Sequence, residues 1–202
     1  MLVVMAPIRT KPEGNNLLAD GWNVFDPSDD NMLEAWALFC VAVAGKSAKT
    51  TIRALNSFLS DRGNKSPFHY VDILESLGIL EKELRKHRVG QYKKLVKAYT
   101  MLVMLNPSQL RTCSVEQLEA IPGIGPKTSR FFVQSTRENT RYAVLDTHVL
   151  AWLRELGHDV PKSTPTKKNY AKVEALYLQI ADQLGLSPRD LDAQIWLSRA
   201  KI

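Results

Sequence analysis

The chain has 202 residues, 45% of them hydrophobic, and its 27 Lys and Arg against 21 Asp and Glu give a net charge of +6 and a pI near 9.3. Such a composition excludes a disordered chain, allows one sizeable core or two small lobes, and favours a polyanionic partner such as nucleic acid. The apolar run at residues 1–6 is cut by Pro7 and Arg9, far short of a signal-peptide core or a membrane span, so no membrane is involved and a cytoplasmic, nucleoid-associated location is expected, nuclear in a eukaryote.

Residues 11–30 are rich in Pro, Gly, Asn and Asp and read as an irregular arm with Trp22 and Phe25 as anchors. Residues 31–44 are apolar on nearly every side (Leu33, Trp36, Leu38, Phe39, Val41, Val43), which predicts a central buried helix ended by Gly45. Ser47 caps a helix reaching about Leu59, with Ile52, Leu55 and Leu59 inward. Lys46, Lys49 and Arg53 then point outward, where cations can meet phosphate. Ser66-Pro67 opens a short helix closed by Gly78, and another carries Leu80 and Leu84 into the basic run 82–88. Gly90-Gln91-Tyr92-Lys93-Lys94-Leu95 begins a helix with Tyr92, Leu95, Val96, Tyr99, Leu102 and Val103 at helical spacing, and its N-terminus is one candidate phosphate site.

Ser114 and Gln117 form a capping box that starts a further helix. Pro122 and Gly123 stop it, Gly125 permits a backbone conformation closed to residues with a Cβ, and Pro126 suits the first turn of a second helix. A tight glycine turn leading into a helix N-terminus leaves unpaired N–H groups around residues 123–128, a spot that binds phosphate. Such a contact positions a duplex without reading its sequence.

Beyond a polar loop at 136–141, an apolar lead-in ends at Asp146, which can cap a helix over 147–156 before Gly157. Residues 162–168 are a linker, and a helix over about 168–184 buries Val173, Leu176, Ile180 and Leu184. Ser187-Pro188 opens the last helix, carrying Leu191, Ile195, Trp196 and Leu197. No stretch alternates like a strand, so the fold class is all-α. His69, His87, His148 and His158 lack metal-site spacing. Cys40 and Cys113, the only cysteines, cannot supply the four ligands of an iron–sulfur cluster, and a disulfide is not expected in a reducing compartment. Neither metal nor cofactor is therefore expected.

Ile121-Pro-Gly-Ile-Gly-Pro-Lys127-Thr128 followed by Val144-Leu-Asp146-Thr-His148 resembles the helix-hairpin-helix DNA glycosylase superfamily, which contains endonuclease III and the 8-oxoguanine glycosylases. The resemblance implies two helical lobes with the site in the cleft between them: residues 31–135, including the hairpin at 114–133, and residues 1–30 with 136–202. It implies that Lys127 and Asp146 are catalytic and that damaged double-stranded DNA is the partner. A monomer is expected. Gly123, Ile124, Gly125 and Thr128 of the hairpin, with Lys49, Arg53, Gln91, Tyr92 and His148, are the candidate DNA contacts. Endonuclease III relatives commonly carry an iron–sulfur cluster near the C-terminus, from which this chain departs.

The chemistry implied is attack of a neutral Lys127 amine on C1′ of a flipped-out deoxynucleotide, departure of the base, and β-elimination from the Schiff base. An unperturbed lysine, with a pKa of about 10.4, is almost wholly protonated at neutral pH, so its proton must be displaced by desolvation and by the positive end of its own helix. An ionised Asp146 steadies the cationic sugar and helps to deprotonate the amine. The short, cluster-free chain looks most like the small 8-oxoguanine glycosylase/lyases typified by archaea, which use their C-terminal end at the base pocket. Trp196, Lys201 and Ile202 are the candidates for that role. The alternatives are a glycosylase for oxidised pyrimidines and a non-catalytic DNA-binding module.

Overall fold

The computed structural model describes Leu18 and residues 26–199, and among these it contains eleven helices and no strand, the all-α class that the sequence predicts. Trp22 and Phe25 lie outside the described residues. No described helix is long and apolar enough to cross a membrane. The chain divides into two compact units, one of residues up to Cys113 with 121–123, the other of residues 114–120 and from Ile124 onward.

The first unit is built on α1 (Asp30–Ala42), capped by Asp29, whose carboxylate accepts from the backbone N–H groups of Asn31 and Met32. Every residue from Met32 to its end is buried, Glu34 included. Glu34 survives burial because it accepts the Phe68 N–H at 2.9 Å, although desolvation still raises its pKa. Around α1 lie α2 (Ala48–Ser60), α3 (Pro67–Ser76), α4 (Leu80–Lys86), α5 (Tyr92–Leu102) and α6 (Pro107–Thr112). Tyr99 on α5 is fully buried and donates to the Leu38 carbonyl of α1 at 2.9 Å. Helix α6 is absent from the sequence reading, yet Asn106 and Gln109 make a reciprocal capping box and Pro107 occupies its first turn. Its six residues are too few for an apolar period to register.

The second unit contains α7 (Val115–Glu119), α8 (Pro126–Thr136), α9 (Thr147–Glu155), α10 (Lys167–Gln183) and α11 (Pro188–Arg199). Its core unites Leu145, Val149, Leu150 and Leu153 with Tyr170, Tyr177, Leu191 and Ile195. Each fully buried side chain of this size contributes about 1.5–3 kcal/mol. Leu184, expected inside, stands half exposed beyond the end of α10. Within this unit Arg130 of α8 is ion-paired to Glu119 of α7 and Glu174 of α10.

Candidate active site

Asp146 is the N-cap of α9 and is buried. Its Oδ1 accepts the N–H groups of His148 and Val149, both at 2.9 Å, which satisfies two orphan donors of the helix start. Oδ2 accepts the indole N–H of Trp196 on α11 at 3.1 Å. Both carboxylate oxygens are thus engaged, and the carboxylate plane is fixed from two sides. Residues 142–145 leading to it are held as closely. Tyr170 donates its hydroxyl to the Ala143 carbonyl at 2.8 Å and accepts the Leu145 N–H at 3.0 Å. The Ala143 N–H is bound by Glu174 at 2.9 Å.

Lys127 is in the first turn of α8, after Pro126, and is partly exposed. The N-cap, Gly125, provides no side-chain acceptor, so the first-turn amides of α8 remain available to an external acceptor. What fixes α8 is Arg130, one turn further on. Its guanidinium donates to Glu119 at 2.7 Å and to Glu174 at 2.8 Å and lies over the Tyr170 ring, 4.6 Å from the centroid. Glu174 thus binds both the helix carrying Lys127 and the segment carrying Asp146. This network came from no local sequence pattern, because its members are 11 and 44 positions apart.

A third carboxyl was missed. Asp192 lies on α11 one turn before Trp196, and burial raises its pKa to about 7; the negative charge of Asp146 acts in the same direction and the positive charge of Lys127 opposes it. Its Oδ1 is buried without a hydrogen-bond partner among the described residues. The available signal was an aspartate between Leu191 and Ile195 on the inward stripe of a helix, where a charged side chain needs a reason.

The turn between α7 and α8 assigns its glycines differently from the sequence. Gly125 has φ −101° and ψ 177°, an ordinary extended conformation, and a Cβ there would meet nothing within 4 Å. Gly123 carries the requirement instead, with φ +94° and a Cβ position 3.2 Å from Lys94 Cγ. Ile124 and Thr128 are buried, so any DNA contact of theirs falls to the backbone.

Lys49 and Arg53 are exposed on α2 as expected, but Lys46 turns inward and donates to the Val89 carbonyl. Desolvation, and after it the charge of Lys94, lowers the Lys46 pKa. Gln91 takes a left-handed conformation at the start of α5 with its amide donating to Ala44 O at 2.7 Å, and the Tyr92 ring lies under Arg85. His148 packs against Trp196 with ring centroids 4.7 Å apart. Lys201 and Ile202 lie outside the described residues. Asp61 at the end of α2, Glu83 on α4 and His87 just after α4 bring potential metal-ligand atoms together, a grouping that chain spacing hid, but the Lys86 ammonium bridges the two carboxylates.

Against this geometry stand the likenesses to known proteins. The family profile described as 8-oxoguanine DNA glycosylase matches residues 21–186. An 8-oxoguanine DNA glycosylase/AP lyase of Thermotoga maritima is 29% identical over 160 residues, 78% of this chain and 75% of its own length. One from Thermoplasma volcanium is 25% identical over 182 residues, 90% and 86% of the two chains. The fold is that of the Methanocaldococcus jannaschii 8-oxoguanine glycosylase/lyase, solved with a 15mer DNA containing 8-oxoguanine (TM-score 0.63, 18% identity, 86% of this chain and 83% of that one). The Thermotoga maritima 8-oxoguanine DNA glycosylase has the same fold (TM-score 0.62, 24% identity, 86% and 82%).

Proposed function

The chain belongs to the 8-oxoguanine DNA glycosylase family, and from that premise we propose that it is a bifunctional DNA glycosylase/AP lyase of base excision repair acting on 8-oxoguanine in duplex DNA. The observation that carries the reading is that Glu174 anchors both the helix carrying Lys127, through Arg130, and the segment leading to Asp146, through the Ala143 N–H, which supports one lysine and one carboxylate working on the same sugar. In this reading the neutral Lys127 amine attacks C1′, the C1′–base bond breaks with its electron pair leaving on the base, and the Schiff base undergoes β-elimination. Asp146, held by its cap and by Trp196, presents its charge to the cationic sugar. The open first turn of α8 binds a backbone phosphate, with Lys49 and Arg53 adding sequence-independent attraction. The enzyme acts as a monomer in the compartment that holds the DNA.

Borohydride trapping tests it. Reduction during the reaction should leave the protein covalently joined to 8-oxoguanine duplex, with the adduct mapping to Lys127. Lys127→Gln should abolish trapping and strand cleavage while duplex binding persists. A folded protein that binds duplex and yields no adduct over a broad lesion panel would favour a non-catalytic module.

A further inference from the structure

We propose that Asp192 is a third ionisable member of the Lys127–Asp146 site and takes from Lys127 the proton that its amine must lose before attacking C1′. The inference rests on the reading of Lys127 as nucleophile and adds the group that activates it.

Position comes first. Trp196 ties α11 to the start of α9 through Asp146 Oδ2, and Asp192 precedes Trp196 by four residues on the same face of that helix. The charges of both Asp146 and Lys127 act on Asp192. Availability comes second. A buried oxygen without a hydrogen-bond partner costs stability and is rare unless something else uses it, and among the described residues Asp192 Oδ1 is such an oxygen.

The neighbours do not offer the same service. Asp146 already accepts three N–H groups, and a proton placed on its Oδ2 would face the Trp196 donor. The phenols of Tyr170 and Tyr177, the α10 groups that also feel the Asp192 charge, are kept protonated by burial, which raises both well above the ordinary tyrosine range. Burial lifts the Asp192 pKa to about 7, into the range where a general base works best near neutral pH.

The step balances simply. One N–H bond of the Lys127 ammonium breaks and an O–H bond forms on Asp192. The electron pair left on Nζ then forms the bond to C1′.

The test is single-turnover borohydride trapping on a duplex with a preformed abasic site, where no base remains to be contacted. Wild type, Asp192→Asn and Asp192→Ala are compared between pH 5.5 and 9. In the wild type the trapping rate should rise about tenfold per pH unit below neutrality, as for loss of one proton, and level off above about pH 7. Both variants should be slower by about tenfold or more at pH 7 and keep rising through pH 9, because the proton then leaves to solvent. They should also melt close to the wild type, since Asp192 Oδ1 makes no hydrogen bond among the described residues for the substitutions to break.

Trapping with wild-type rate and plateau in both variants would overturn the proposal, as would a loss confined to excision of the damaged base. A uniform loss at every pH with an unmoved plateau and a lower melting temperature would make Asp192 structural and also overturn it. Absence of an adduct in the wild type would instead remove the nucleophile reading itself.

Discussion

Trp196 donates its indole N–H to Asp146 Oδ2 at 3.1 Å, so a partly exposed residue of the last helix orients the carboxylate that caps α9. Aromatic identity and hydrogen bond can be separated by Trp196→Phe, which keeps a ring to pack on His148 and removes only the donor. Because water can reach the indole, the stability loss should be about 1 kcal/mol, near the net value of one hydrogen bond. Base release should fall roughly tenfold, since Asp146 keeps its cap but loses the contact that sets its plane. Single-turnover excision with a thermal melt reads both quantities, and unchanged excision would leave the indole with a packing role only.

Asp146→Asn should do far more to chemistry than to folding. Asparagine caps as well as aspartate, but its amide has one oxygen for two jobs. If that oxygen caps α9, the amide nitrogen faces the Trp196 donor; if it meets Trp196, the cap is lost. Either arrangement costs about 1–3 kcal/mol. Base release should slow by about a hundredfold or more, as loss of a preorganised charge opposite a developing cation requires. A variant that melts several degrees lower yet excises at the wild-type rate would take Asp146 out of the chemistry.

The elements announced by local chemistry were legible in the sequence: Ser47, Ser66 and Ser114 cap the helices they were read to cap, and Asp146 caps α9. What failed depends on three-dimensional proximity. Gly123 and Gly125 are two residues apart in one motif, and only backbone geometry tells which of them needs to lack a side chain. Lys46 was read outward from helical periodicity, but it lies before the helix begins and is drawn to the Val89 carbonyl, 43 positions away. Asp192 and the Arg130–Glu174 pair belong to the same class, since a buried charge is visible only with its partners.

Glu174→Gln addresses that pair. The amide keeps an acceptor for the Ala143 N–H but takes a negative charge from beside Arg130, whose guanidinium then has only Glu119 as an ionised partner among these contacts. Breaking a largely buried ion pair from one side costs about 3–5 kcal/mol, and here the remaining Arg130–Glu119 contact should hold the loss to the lower end. Because Glu174 secures both α8 and the segment ending at Asp146, excision and abasic-site trapping should fall together. Chemical denaturation and the two assays run in parallel check this, and a loss of one activity without the other would separate the two anchorages.

The hairpin glycines give the sharpest contrast. Gly123→Val puts a β-branched residue at φ +94°, with its Cβ 3.2 Å from Lys94 Cγ, so the fold should lose about 2 kcal/mol or more. Gly125→Thr meets an ordinary conformation and open space, and threonine is about as good an N-cap as glycine, so its melting should move by less than about 0.5 kcal/mol in free-energy terms. If a phosphate approaches the first turn of α8, the added side chain obstructs it. Duplex affinity should then fall equally for damaged and undamaged DNA of every sequence, because a backbone contact carries no base information. Wild-type binding should itself weaken steeply with added salt as counterion release demands, and Gly125→Thr should flatten that slope by about one phosphate contact. Binding titrations at several salt concentrations measure both effects. Undiminished affinity in Gly125→Thr would move the phosphate contact away from this helix start.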